Sequence, residues 1–160
     1  MIRLPTQNDC LAIGHVYCEA WKAAYKGIVP DDYLNRLTDE NCMPCSIRSK
    51  GALIYESDRK VLGVVSFGAR RDRPASKDGE IYSIYVLPEY WRTGAGRALF
   101  EAAKEQLRAA GCNALFPWAL TENLRAAGFY RKMGMTPVES RTIVISGREL
   151  TETGFVLTLN

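Results

Sequence analysis

A chain of 160 residues, 47% hydrophobic and 24% charged, has the composition of one ordinary globular domain, and residues 1–160 read as a single unit. Its 21 basic and 18 acidic residues leave a net charge of only +3, which argues against a dedicated nucleic-acid binder. No apolar run approaches the roughly 18 residues of a membrane span and no secretory pattern opens the chain, so a cytoplasmic protein with no membrane partner is expected.

Met1-Ile-Arg-Leu4 reads as a short opening strand stopped by Pro5. Thr6, with Asp9 three residues later, starts a helix whose apolar positions Cys10, Ile13, Tyr17, Trp21 and Ala24 follow helical spacing. Asp31-Asp32 opens a second short helix carrying Tyr33, Leu34 and Leu37. The five cysteines (10, 18, 42, 45 and 112) are an odd number without framework spacing and fit reduced thiols. Cys42-Met-Pro-Cys45 has the spacing of a redox pair, yet it follows the polar run Thr38-Asp-Glu-Asn41 instead of a strand. The single histidine, His15, is remote from that pair, so no metal site is expected.

Ala52 to Tyr55 and Val61 to Phe67 read as strands joined by the polar turn Glu56 to Lys60. Arg70, Arg71, Arg73 and Lys77, diluted by Asp72 and Asp78, form a dense basic cluster; it reads as a solvated loop or as a contact for phosphates. Glu80 to Leu87 is a further strand, apolar on both faces after its first residue, as a central strand should be.

That strand ends at Pro88, and Gly94 and Gly96 then lead directly into the amphipathic helix Gly96 to Ala110, closed by Gly111. Glycines at such a joint let N–H groups crowd together and point outward, and the helix start adds its own unpaired N–H groups and positive dipole end. A strand-loop-helix joint of this kind suits a phosphate or pyrophosphate. Arg92 and Arg97 flank it, and Thr93 supplies a hydroxyl. A Walker loop would need Gly-Lys followed by Ser or Thr, which is absent. A dinucleotide fingerprint would need glycine where Leu99 stands and an acidic residue near Leu115 to Trp118, and it fails on both.

Asn113 to Leu120 then reads as a strand, Thr121 to Met133 as a short helix stopped by Gly134, and Pro137 to Ile145 with Gly154 to Leu159 as a hairpin across Ser146 to Leu150. The run Val86-Leu-Pro-Glu-Tyr-Trp-Arg-Thr-Gly-Ala-Gly-Arg-Ala-Leu99, followed by Asn123, Ala127, Phe129-Tyr130 and Met133-Gly134-Met135, resembles the GNAT superfamily of acetyl-CoA-dependent N-acetyltransferases. The match is good over roughly residues 60 to 137 and looser elsewhere. Trp91 departs from it, standing where the family usually has Gln or Arg.

The resemblance implies an α/β fold: a single-layer mixed, mostly antiparallel central sheet of six to seven strands with helices on both faces. It implies acetyl-CoA as cosubstrate and a primary amine of a small molecule or peptide as acceptor. A non-catalytic acyl-CoA-binding regulatory domain is the alternative, and a homodimer is compatible with the family. Arg92, Thr93, Gly94, Ala95, Gly96 and Arg97 would hold the pyrophosphate. A bulge at residues 84 to 86 would splay that strand from the one at 113 to 118, so that the pantetheine arm pairs with Ile84 and Val86. The Val86 N–H would be the oxyanion donor, and Asn123 would hold the arm while also capping its helix. Tyr130 falls at the general-acid position, where a core aromatic is the competing reading. Glu80 is the candidate base, with a solvated strand-start glutamate as its competitor. Trp21, Tyr25 and Tyr33, on the acceptor side, and Tyr82 would line the amine path.

Overall fold

The computed structural model describes residues 1–43 and 51–159. Cys45, the second half of the Cys42-Met-Pro-Cys45 spacing, lies outside the described residues. Burial pushes the Cys42 thiol up to about 11, which makes it a poor nucleophile near neutral pH.

The chain opens with β1 (Ile2–Arg3) and one 3-10 turn (Gln7–Asp9) that runs into α1 (Cys10–Ala24). Asp9 organises this start. It accepts from the Thr6 N–H at 2.7 Å and takes both ends of the Arg3 guanidinium, at 2.8 and 2.9 Å. The expected capping box is therefore also the clamp that ties β1 to α1. α2 (Asp31–Asn35) follows, then the antiparallel run β2 (Gly51–Ser57), β3 (Lys60–Ala69) and β4 (Gly79–Val86). After the loop come α3 (Ala95–Ala109), β5 (Ala114–Leu120), α4 (Leu124–Lys132), β6 (Thr136–Ile145) and β7 (Arg148–Thr158).

Among the described residues seven strands form one sheet in the order β1-β2-β3-β4-β5-β7-β6, with β4 and β5 its single parallel pair. α3 lays Leu99, Phe100, Ala103 and Leu107 on one face, against Val65, Phe67 and Ile81, and α4 adds Tyr130 there. α1 lays Ile13 and Val16 on the other face, against Ile54, Leu62 and Val64. This is the mixed, mostly antiparallel sheet with helices on both faces that the resemblance implies.

Two local expectations are corrected. The hairpin loop is only Ser146-Gly147, both left-handed (φ 49° and 78°), so β7 starts at Arg148 instead of Gly154. Two such residues in succession make the tight turn whose twist matches its flanking strands, which lets pairing continue to Ile145↔Arg148. The bulge lies at Tyr82, not at 84 to 86: Ser66 faces Ser83 while Phe67 faces Ile81, leaving Tyr82 without an opposite residue. A side chain at position 68 would occupy the Tyr82 hydroxyl's place, 2.5 Å from Cβ; Gly68 leaves it free to donate to the Ala69 carbonyl at 2.7 Å.

Arg3 and its hydrogen bonds hold the Asp9 carboxyl well below the usual carboxylate range. A depressed folded-state pKa contributes stability above the unfolded value of about 4, and that stability is lost as pH falls through the folded value. Asp9→Asn should lower unfolding free energy by about 1–3 kcal/mol at pH 7. In urea titrations its gap from wild type should hold above about pH 5 and narrow progressively as pH falls below about 4; a constant gap would remove Asp9 as the source.

Candidate active site

β4 and β5 pair through only Gly79↔Leu115, Glu80↔Phe116 and Ile81↔Pro117. Pro117 has no N–H to donate, and the Tyr82 bulge stands beside the last of these pairs, so the ladder stops and the strands part. Beyond that point β4 has β3 on one side only. Leu87 N–H bonds Leu62 O at 2.9 Å, and antiparallel alternation then turns the N–H and C=O of Val86 and Ile84 away from β3, into the gap. These amides face the gap because β5 has left, not because of a bulge at their own position. The Val86 carbonyl is taken by the Trp91 indole N–H at 2.8 Å. Trp91 thus closes one acceptor of the parted strand, and its ring lies under the Arg125 guanidinium at 3.5 Å.

The loop at the mouth of this gap is built on left-handed residues, Arg92 (φ 67°) and Gly94 (φ 95°). Among the described residues no hydrogen bond engages the N–H groups of Gly94, Ala95, Gly96 or Arg97, while Ala98 N–H closes the first turn onto Gly94 O at 2.9 Å. The Thr93 hydroxyl donates to Tyr90 O at 2.7 Å, so its single proton serves the loop. Arg92 and Arg97 are exposed, and among the described residues neither they nor Arg125 form an ion pair. A Cβ on Gly96 would meet nothing closer than the Phe129 ring at 3.5 Å, ordinary van der Waals contact. Packing within the protein therefore does not demand glycine at 96.

α4 brings up the far wall. Asn123 caps it by accepting the Ala126 N–H at 3.2 Å, leaving its side-chain amide donors available. Gly128, on the same helix, would place a Cβ in open space. Tyr130 is buried against Phe129 and Phe155, and among the described residues its hydroxyl has no hydrogen-bond partner. Burial raises its pKa well above an ordinary phenol's, and the nearby Tyr25 raises it further. Tyr25, at the end of α1, packs with Trp21 and Tyr33.

The α1 face of the opening between β4 and β5 is aromatic. Trp21 meets Tyr25 edge-on at 4.7 Å and Tyr33 at 5.9 Å, and the Tyr25 and Tyr85 hydroxyls lie 3.2 Å apart. Tyr17 O–H, Ser83 and Ser66 continue a line of hydroxyls at 2.6 Å spacings. Burial raises Tyr25, and raises Tyr85 more strongly. Glu80 is only 2% exposed, and Arg71 holds both of its oxygens through its backbone N–H (3.0 Å) and its guanidinium. Arg71 in turn lies over the Tyr82 ring at 4.3 Å.

The basic cluster is not a solvated loop at Arg70, which is 2% exposed, stacked over Phe116 and paired with Asp72 and Glu139. Arg70 is held by Phe116 of β5 and Glu139 of β6, and not by the Gly94–Arg97 loop. Three residues that the sequence reading passed over stand beside it: Trp118, Arg141 and Glu152. Arg141 and Glu152 signal themselves in the sequence only as polar residues alternating in a hairpin whose register the turn decides, and Trp118 only as an aromatic residue of β5.

The model of the Acetyltransferase (GNAT) family matches residues 14–135. The chain belongs to that family. It is 32% identical over 158 residues to the uncharacterised N-acetyltransferase YuaI of Bacillus subtilis, covering 96% of this chain and 90% of that protein. Among solved structures, the fold resembles that of PaiA N-acetyltransferase from Thermoplasma acidophilum in complex with coenzyme A (TM-score 0.79, 18% identity, 99% and 98% of the two chains). It also resembles YncA of Salmonella typhimurium with its cofactor acetyl-CoA (TM-score 0.73, 23% identity, 100% and 94%). Among the described residues of this GNAT chain, no helix is long and apolar enough to cross a membrane.

For this GNAT protein the two loop glycines should separate in stability. Gly94→Ala forces a side chain into a left-handed position and should cost about 1–2 kcal/mol. Gly96→Ala, at a helical position with room for Cβ, should leave stability unchanged or raise it by up to about 1 kcal/mol. Urea midpoints check this; equal losses would mean the 96 position is packed more tightly than the geometry shows.

Proposed function

We propose that this protein transfers the acetyl group of acetyl-CoA to a primary amine of a small molecule or peptide. The observation that carries the reading is the set of four unengaged amides from Gly94 to Arg97, at a helix start ringed by unpaired arginines. Gly96 strengthens it: a glycine that no protein atom requires makes sense where a ligand must approach the backbone.

The bound cosubstrate supplies an acetyl group already activated as a thioester. The protein's own residues would do the following. The amides of Gly94 to Arg97, with Arg92 and Arg97 beside them, hold the pyrophosphate. Ile84 pairs with the pantetheine arm through both backbone groups and Val86 through its N–H, its carbonyl being closed by Trp91. Asn123 donates to the arm from its side-chain amide. The Val86 N–H points into the gap as a donor for negative charge developing on a carbonyl oxygen. Tyr130, kept protonated by burial, donates to the departing sulfur. Trp21, Tyr25, Tyr33 and Tyr82 line the amine's approach. Glu80 holds Arg71 and the end of β3 in place, and the amine proton leaves to water. The free thiols of Cys10, Cys18, Cys42 and Cys112 accord with a reducing cytoplasm.

Gly96→Val should weaken coenzyme A binding by about tenfold or more in calorimetry with the fold intact. Tyr130→Phe should lower kcat by about 10²-fold with coenzyme A binding kept, and the wild-type rate should not fall up to about pH 10 through ionisation of this phenol. Tight coenzyme A binding without turnover on any amine would instead mark a regulatory domain.

Glu80→Gln should destabilise the fold by about 1–3 kcal/mol through loss of the charge-assisted hydrogen bonds that the buried carboxylate accepts from Arg71, with the pH–rate profile unchanged in shape. A profile that lost its acid limb would return Glu80 to the role of base.

A further inference from the structure

Trp118, on β5, faces Gly154 of β7, and a Cβ at 154 would come within 3.1 Å of the indole ring. The missing side chain lets the ring lie across β7 toward β6, where the Arg141 guanidinium stacks on it at 4.0 Å. Arg141 stands opposite Glu152 in the β6–β7 register and donates its Nε–H to Glu152 Oε2 at 2.7 Å. The guanidinium is thus fixed by its face and by one edge. Its two terminal amino groups have no hydrogen-bond partner among the described residues, and the side chain is 41% exposed.

Glu152 is only 16% exposed and keeps its second oxygen without a partner among the described residues. It pairs across the sheet with Leu120, which packs with Trp21, Tyr25 and Tyr33. Its charge is felt by both Tyr25 and Arg71. The pair therefore sits on the open arm of the gap, on the amine's side, while Arg71, 54% exposed, is held by Glu80 where β4 and β5 are still paired.

We propose that this wall recognises an acceptor carrying a carboxylate beside its amine, an α-amino acid, with the carboxylate on the Arg141 fork and the amino group toward Glu152. A preformed cation–anion pair with one free edge on each member matches a zwitterion charge for charge. A simple monoamine would leave the fork desolvated and unused, and a diamine would set its second ammonium against Arg141. Trp118 and the Trp21–Tyr25 cluster supply apolar surface for the remainder of the acceptor. The inference rests on the acetyl-transfer reading and narrows its substrate class.

The test measures thiol release from acetyl-CoA by the full-length protein with the twenty L-α-amino acids, and with the α-amide and the decarboxylated amine of each one that reacts. At least one acid should exceed its amide and its amine in kcat/KM by about 10- to 100-fold. Arg141→Gln should collapse that preference through KM, with kcat within about threefold and coenzyme A binding unchanged, and Arg141→Lys should restore only part of it. Turnover only on carboxylate-free amines or peptides, or an Arg141→Gln loss equal for acid and amide, overturns the inference and leaves acetyl transfer standing. Absence of coenzyme A binding by the wild-type protein overturns both. The acid-against-amide comparison on wild type decides the matter even where a variant folds poorly.

Discussion

Pro117 has no amide hydrogen, and it stands in β5 opposite Ile81, the last residue of β4 that β5 reaches. A central sheet tolerates such a residue only where its ladder ends, because every buried backbone group needs a partner. With the Tyr82 bulge beside it, the sheet opens at the parallel pair β4–β5, and much of the site follows. The amides of Ile84 and Val86 turn into the opening, and the Trp91 indole closes one carbonyl. The opening is a feature of backbone hydrogen bonding first and of side chains second.

Charge is divided across the two sides of that opening. Around the Gly94–Arg97 loop the arginines lack carboxylate partners among the described residues, which leaves a local positive field over converging amides. On the other side the arginines are matched: Arg70 with Asp72 and Glu139, Arg71 with Glu80, Arg141 with Glu152. A net charge of +3 conceals this arrangement entirely. One side carries uncompensated positive charge, and on the other each of these arginines is already balanced by a carboxylate.

The same division appears in packing. The α3 face of the sheet is a continuous apolar layer from Val65 to Leu115, which fixes the helix start that presents the loop amides. The α1 face beyond β4 mixes rings with hydroxyls, and its polar atoms are satisfied by one another along Tyr17, Ser83 and Ser66. Such a surface keeps its shape without being filled, because the hydroxyls of Tyr17, Ser66, Ser83, Tyr25 and Tyr85 have partners before any ligand arrives. Gly94 and Gly128 carry local costs in backbone freedom that the apolar layer offsets.

The strand-loop-helix joint at Val86 to Leu99, the Thr6–Asp9 capping box, the Asn123 cap and the stop at Gly134 were all determined by the sequence itself. Each depends on residues within one or two turns of one another, where backbone chemistry is local. The family, and with it the layered sheet, was legible for the same reason. Tertiary structure alone decided where the ladder breaks, that the bulge falls at Tyr82, that Glu80 is spoken for by Arg71, and that Arg70 is buried. It alone brought Trp118, Arg141 and Glu152 together from three strands. Those facts depend on register between distant segments. A one-residue slip sends every side chain of a strand to the other face, so no reading of a strand in isolation can say which residues meet across the sheet.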